Sequence, residues 1–140
     1  MKICKDTGNN AFYSLQFCLV LCANNTENIF NPQTVKRLAE ITLSIAESFN
    51  VQITSQKTRN NHTVIQFNAR PATVISRFVN SLKSVSSRAL RKEFPGIETH
   101  LAKRSLWVNS YFLSTVPANE HAFRTALRKY INTTIQGLES

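Results

Sequence analysis

Hydrophobic and polar residues recur along this chain with two different periods, and the switches between them mark out its elements. Residues 12–22 (FYSLQFCLVLC) are almost continuously apolar and aromatic, which reads as a first, buried strand. A polar loop follows at 23–27. Asn31-Pro32 then supplies a helix N-cap and a first-turn proline. Val35, Leu38, Ile41, Ile45 and Phe49 recur three and four apart, so a helix is predicted to about residue 49, with Asn50 as its stop. From Val51 the period shortens to two. Residues 51–58 read as a second strand, Arg59-Asn60-Asn61 as a turn, and 62–68 as a third strand. In that third strand Thr63, Ile65 and Phe67 share one face, and His62, Val64, Gln66 and Asn68 share the other.

The helical period returns between about Pro71 and Glu93. Ile75, Phe78, Val79, Leu82, Val85, Ala89 and Leu90 form the apolar stripe, and Pro95-Gly96 ends it. Residues 105–108 and 111–116 read as a strand pair. A last helix starts near Ala118 and carries Phe123, Leu127 and Ile131. The order β-α-β-β-α-β-(β)-α predicts an α+β fold of the ferredoxin-like, split βαβ kind. It consists of an antiparallel sheet with two helices on one face, plus a C-terminal helix. The other face of the sheet is expected to be free for a ligand or a partner chain. At 140 residues the chain is long enough for one core and too short for two. Residues 1–11 are expected to form an N-terminal arm, and 12–140 one domain.

Charge adds a functional constraint. The chain has 17 Lys+Arg against 8 Asp+Glu, a net charge of +9, and such a surface attracts polyanions, of which nucleic acid is the commonest. Cysteine adds little: Cys4, Cys18 and Cys22 are odd in number and lack a second Cys/His pair at zinc spacing, so free thiols in a reducing cytoplasm are expected. The apolar run behind Lys2 and Lys5 has the look of a short secretory leader. However, Gln16 interrupts it, it is too short to cross a bilayer, and a buried strand accounts for it better.

Few residues carry chemistry by type and spacing. There is no glycine-rich phosphate loop, no Ser-His-Asp arrangement and no carboxylate cluster. Taken alone, His62 is a polar residue opening a strand, and Tyr130 is an amphipathic residue at a helix border within Arg128-Lys129-Tyr130. Trp107, Tyr111 and Phe112 read as core. Arg77, Lys83, Arg88, Arg91 and Lys92 read as the solvated face of the second helix.

Together, several segments resemble a known family. Leu82-Lys83-Ser84-Val85-Ser86-Ser87-Arg88-Ala89-Leu90-Arg91-Lys92-Glu93-Phe94-Pro95 is similar to the second helix of the insertion-sequence 200/605 transposases and their REP-associated relatives. Residues 105–116 (SLWVNSYFLSTV) resemble the strand pair that follows, and Asn61-His62-Thr63-Val64 falls where the family has its His-hydrophobe-His motif. The resemblance spans residues 12–134. It implies binding of hairpins in single-stranded DNA, and cleavage and joining of that strand by a tyrosine that becomes linked to a 5′ phosphate. It also implies a divalent ion, magnesium or manganese, held by two histidines and by a glutamine one helical turn past the tyrosine. By position, Tyr130 would be the nucleophile and His62 the first metal ligand. The resemblance further implies a homodimer with joined sheets, each Tyr130 helix reaching the partner's His62 region.

Two positions depart from that pattern. The second histidine is replaced by Val64, which has no lone pair, and the glutamine by Thr134, whose hydroxyl is a weak ligand. Gln66 shares the face but stands one pleat further along. One imidazole alone holds magnesium poorly. The basic tract that commonly follows the family's first strand is absent, with Leu21-Cys22-Ala23-Asn24-Asn25 in its place. The expectation is therefore a cytoplasmic, dimeric binder of single-stranded hairpins or structured RNA, with no resident cofactor, no membrane role, and weak or no cleavage. Lys83, Arg88, Arg91, Arg77 and Lys92, with Arg124, Arg128 and Lys129 on the last helix, would contact phosphates. The alternatives are an active transposase using Tyr130, and a non-catalytic interaction module of the same fold.

Overall fold

The computed structural model describes residues 5–6, 11–12, 15–24, 28–70, 73–101, 105–115 and 120–139. Two short strands, β1 (Lys5–Asp6) and β2 (Ala11–Phe12), pair with each other, so the N-terminal arm carries a small ladder. The first long strand, β3 (Leu15–Cys22), therefore starts later than the apolar pattern suggests. It is followed by α1 (Pro32–Ser48), β4 (Gln52–Thr58), β5 (His62–Ala69), α2 (Ile75–Glu93), a 3-10 turn at Pro95–His100, β6 (Phe112–Thr115) and α3 (Glu120–Glu139).

The four long strands form one antiparallel sheet in the order β4-β5-β3-β6. With α1 and α2 on one face, this is the split βαβ arrangement expected from the sequence. Local chemistry fixes α1. Asn31 Oδ1 accepts from the Thr34 N–H at 3.0 Å, and Thr34 Oγ1 accepts from the Asn31 N–H at 2.8 Å, a reciprocal cap with Pro32 just inside. Asn50 ends the helix at φ 55°, a left-handed conformation that asparagine tolerates.

The core lies between the sheet and the α1/α2 pair. Leu19, Leu21, Ile65 and Phe67 face Leu38, Ile41, Phe78, Val79, Leu82 and Leu90. Phe67 lies edge-on to Phe78 at 5.2 Å and stacks on Phe17 at 5.4 Å. Each such side chain contributes roughly 1.5–3 kcal/mol of burial.

Two expectations are corrected. Residues 105–108 do not pair with 111–115; both pieces run beside β3, and residue 116 lies outside the described residues. Trp107 bridges Ala23, and the Val108 N–H reaches the Cys22 carbonyl at 2.8 Å. Further along, β6 pairs with Phe17–Val20 of β3. The Asn24 side-chain amide holds the first piece in place, donating to the Ser105 carbonyl at 3.0 Å and the Trp107 carbonyl at 2.9 Å.

The second sheet face is not free either. Cys18, Val20 and Cys22 point to it and are fully buried. There α3 meets β3, with the Tyr130 ring 5.6 Å from that of Phe112. A strand buried on both faces is apolar at successive positions, which is what Phe17 to Cys22 show.

Candidate nucleic-acid interface and tyrosine site

The strand ladder sets out the residues on the α3 side. Cys22 stands opposite His62, Val20 opposite Val64, and Cys18 opposite Gln66. Residues directly opposite on neighbouring strands share a face. Tyr130 sits above this array. Its hydroxyl and that of Ser110 share a hydrogen bond of 3.1 Å. Burial, then the nearby Cys22, push its pKa up, against opposing hydrogen bonds from Ser110 and Thr134. The phenol is therefore protonated at neutral pH.

His62 Nδ1 is 2.8 Å from Asn61 Oδ1. Burial, helped by the Arg59 charge, lowers its pKa, so the imidazole is neutral at pH 7. Asn61 fixes the tautomer, placing the proton on Nδ1 and the lone pair on Nε2. The structure thus brings His62 and Tyr130 to one sheet face, both near Cys22, within a single chain.

The donor set does not fit a hard divalent ion. Val64, two residues past His62 on the same face, presents an isopropyl group with no lone pair. The Thr134 hydroxyl donates its one proton to the Tyr130 carbonyl at 2.8 Å. Burial raises the Cys22 thiol to about 11, which keeps it protonated. Among the described residues, no three His, Cys, Asp or Glu side chains come together. One imidazole and no carboxylate leave magnesium or manganese without its preferred oxygen ligands.

The basic residues divide between the two sheet faces. On α2, Lys83, Arg88 and Arg91 line a groove of about 650 Å³ with Asn80, Ser84, Ser87 and Ser105. Arg77 and Lys92 lie on the same helix, outside that lining, and both are exposed. Arg124, Arg128 and Lys129 are exposed on α3, across the sheet. Arg91 is partly engaged, its guanidinium donating to the Ser87 carbonyl at 3.1 Å and lying 3.6 Å from Glu98. Lys83 donates to the Asn109 carbonyl at 3.0 Å and stands 5.7 Å over the Tyr111 ring.

Sequence reasoning missed Ser86 and Ser87. Both are buried on α2. Ser86 Oγ accepts from the Trp107 indole N–H at 2.9 Å, and Ser87 Oγ accepts from the Leu106 N–H at 3.1 Å. They anchor the segment that carries Ser105, Asn109 and Ser110. The available signal was a pair of hydroxyls within the apolar stripe, four and five residues past Leu82 and three before Ala89 and Leu90 respectively.

These features define an α+β domain of split βαβ topology with a tyrosine helix laid across the sheet face opposite its two packing helices. The chain belongs to the IS200-like transposase family, whose model matches residues 11–134. Two solved structures share the fold. A candidate transposase from Deinococcus radiodurans R1 is 23% identical, with a TM-score of 0.79, covering 91% of this chain and 96% of that one. A REP-associated tyrosine transposase bound to a REP hairpin is 12% identical, with a TM-score of 0.57, covering 89% and 69%. A search of curated proteins finds no match. Among the described residues, no helix is long and apolar enough to cross a membrane.

Proposed function

We propose that this chain is a transposase-family protein that binds single-stranded DNA hairpins, or structured RNA of similar shape, with weak or no strand cleavage. The observation that carries this reading is the α2 groove, where three cations and four neutral polar side chains converge. Such a groove suits a phosphodiester backbone, with charge from Lys83, Arg88 and Arg91 and hydrogen bonds from the serines and Asn80. The net charge of +9 supports it. So does the REP-associated neighbour, whose structure holds a REP hairpin. The poor fit of His62, Val64 and Thr134 to a divalent ion supports the absence of metal-assisted cleavage.

A homodimer is part of this reading, with β4 or β6 supplying an edge for sheet joining. Its location is the cytoplasm, and it requires no cofactor. The test is fluorescence anisotropy with a labelled DNA hairpin across a salt series. Binding should weaken steeply with salt, and the double variant Arg88→Glu/Arg91→Glu should abolish it. Binding that ignores ionic strength, or survives the double charge reversal, sinks the proposal.

A second reading rests on Tyr130, whose hydroxyl shares a sheet face with His62. In it the Tyr130 oxygen attacks a backbone phosphate and the P–O3′ bond breaks. The phenol proton passes through water to the departing 3′ oxygen to give a free 3′-hydroxyl, and the 5′ phosphate stays linked to the tyrosine. Incubation with a hairpin oligonucleotide and manganese would then yield a covalent protein–DNA band that Tyr130→Phe removes.

A further inference from the structure

Of the three cations that line the α2 groove, only Arg91 faces a carboxylate among the described residues. Its Nε donates to the Ser87 carbonyl at 3.1 Å, which lays the guanidinium against its own helix. Its Nη1 lies 3.6 Å from Glu98 Oε1. Lys83 is bonded to a neutral carbonyl instead, and Arg88 forms no ion pair among the described residues.

The fold places Glu98 there. It stands beside the groove, outside its lining, on the 3-10 turn Pro95–His100 that follows α2 directly. In that turn the Ile97 side chain is buried in the core, and the Ile97 N–H donates to the Phe94 carbonyl at 3.0 Å. The backbone is therefore anchored, while the carboxylate is loosely held. Glu98 is 61% exposed against 25% for Arg91, and 3.6 Å is beyond hydrogen-bond distance. An anchored turn keeps the carboxylate within reach of Arg91, and an exposed head swings into water easily.

Resting on the reading of the groove as a nucleic-acid site, we propose that Glu98 is a built-in competitor for the strand, holding Arg91 until a phosphate displaces it. A phosphate takes a guanidinium through two parallel N–H···O bonds, where Glu98 offers one long contact. The incoming strand therefore wins Arg91, and the carboxylate moves to solvent. An isolated anion gains Arg91 alone and meets the Glu98 charge. A strand engages Lys83 and Arg88 as well. Glu98 thus acts as a repulsive element that favours polyanions over single anions.

The experiment is anisotropy with the labelled DNA hairpin on the intact chain and three variants of equal length. Glu98→Gln should tighten binding roughly two- to five-fold, the range of an exposed ion pair. Glu98→Asp keeps the charge and should bind as the parent does. Glu47→Gln, on the exposed side of α1, makes the same change in net charge and should do less than Glu98→Gln. In an Arg91→Gln background the gain from Glu98→Gln should fall to that of Glu47→Gln. Thermal unfolding of each variant checks that the turn still folds. A Glu98→Gln gain no larger than that of Glu47→Gln, or one that persists without Arg91, overturns the inference and leaves the hairpin reading standing. Should the unaltered chain bind no hairpin, the nucleic-acid reading falls. The same cycle with inorganic polyphosphate, which carries phosphates without bases, then decides the role of Glu98 by the same two criteria.

Discussion

The indole N–H of Trp107 is buried and donates to Ser86 Oγ at 2.9 Å, tying the strand that approaches β6 to the middle of α2. Ser86→Ala would strand that donor away from water. The expected cost is about 1–3 kcal/mol. Urea unfolding followed by the fluorescence of Trp107, the chain's one tryptophan, measures it directly.

His62 provides a pH test. Burial and Arg59 lower its folded pKa below the unfolded value of about 6.5. The unfolded chain then binds the proton first as pH falls. Stability is therefore highest above the unfolded pKa, and declines as pH drops towards the folded one. Urea midpoints taken from pH 7.5 down to 5 should fall. In His62→Gln the part of that slope due to His62 should vanish.

Cys18 and Cys22 are buried, with both thiols raised to about 11. At neutral pH they should resist alkylation in the native state and react on unfolding. Mass spectrometry after brief iodoacetamide treatment reads this. Rapid native labelling at Cys22 would show that α3 does not stay on the sheet.

Arg88 is exposed in the groove and forms no ion pair among the described residues. Arg88→Ala should weaken binding to all hairpins alike. It should also lower the log–log salt slope by about 0.7 for a single strand. Lys36→Ala, on the exposed side of α1, should leave the slope unchanged.

Restoring donors should restore a metal site. Val64→His places a second imidazole on the His62 face, and Thr134→Gln frees that position from its bond to the Tyr130 carbonyl. The double variant should bind manganese by titration calorimetry where the parent does not. If the parent binds as tightly, His62 already has partners that the donor set does not supply.

Much of the fold was legible in one dimension. Alternation at Thr63, Ile65 and Phe67 gave the buried face of β5, and Asn31-Pro32 gave the start of α1. The family resemblance, read over 12–134, agrees with the matched residues 11–134. What local pattern missed depends on partners distant in sequence. Residues 105–108 carry strand-like side chains, but their neighbour is set by Asn24, 81 and 83 positions away from Ser105 and Trp107. The burial of Cys18, Val20 and Cys22 depends on what lies over the sheet. The run from Phe17 to Cys22 already signalled two-sided burial, but not which element would cover it.

By itself the sequence determined which residue types exist: His62 and Val64 two apart on one strand, Tyr130 and Thr134 four apart on one helix, and an excess of cations. Side-chain chemistry settles those points regardless of conformation, because an isopropyl group cannot donate a lone pair in any fold. Only tertiary structure decided how the charges divide across the sheet, that Tyr130 lies beside Cys22 of its own chain, and that Lys83 reaches from α2 to Asn109. Those relations arise when strands and helices far apart in sequence pack together to bury their apolar faces.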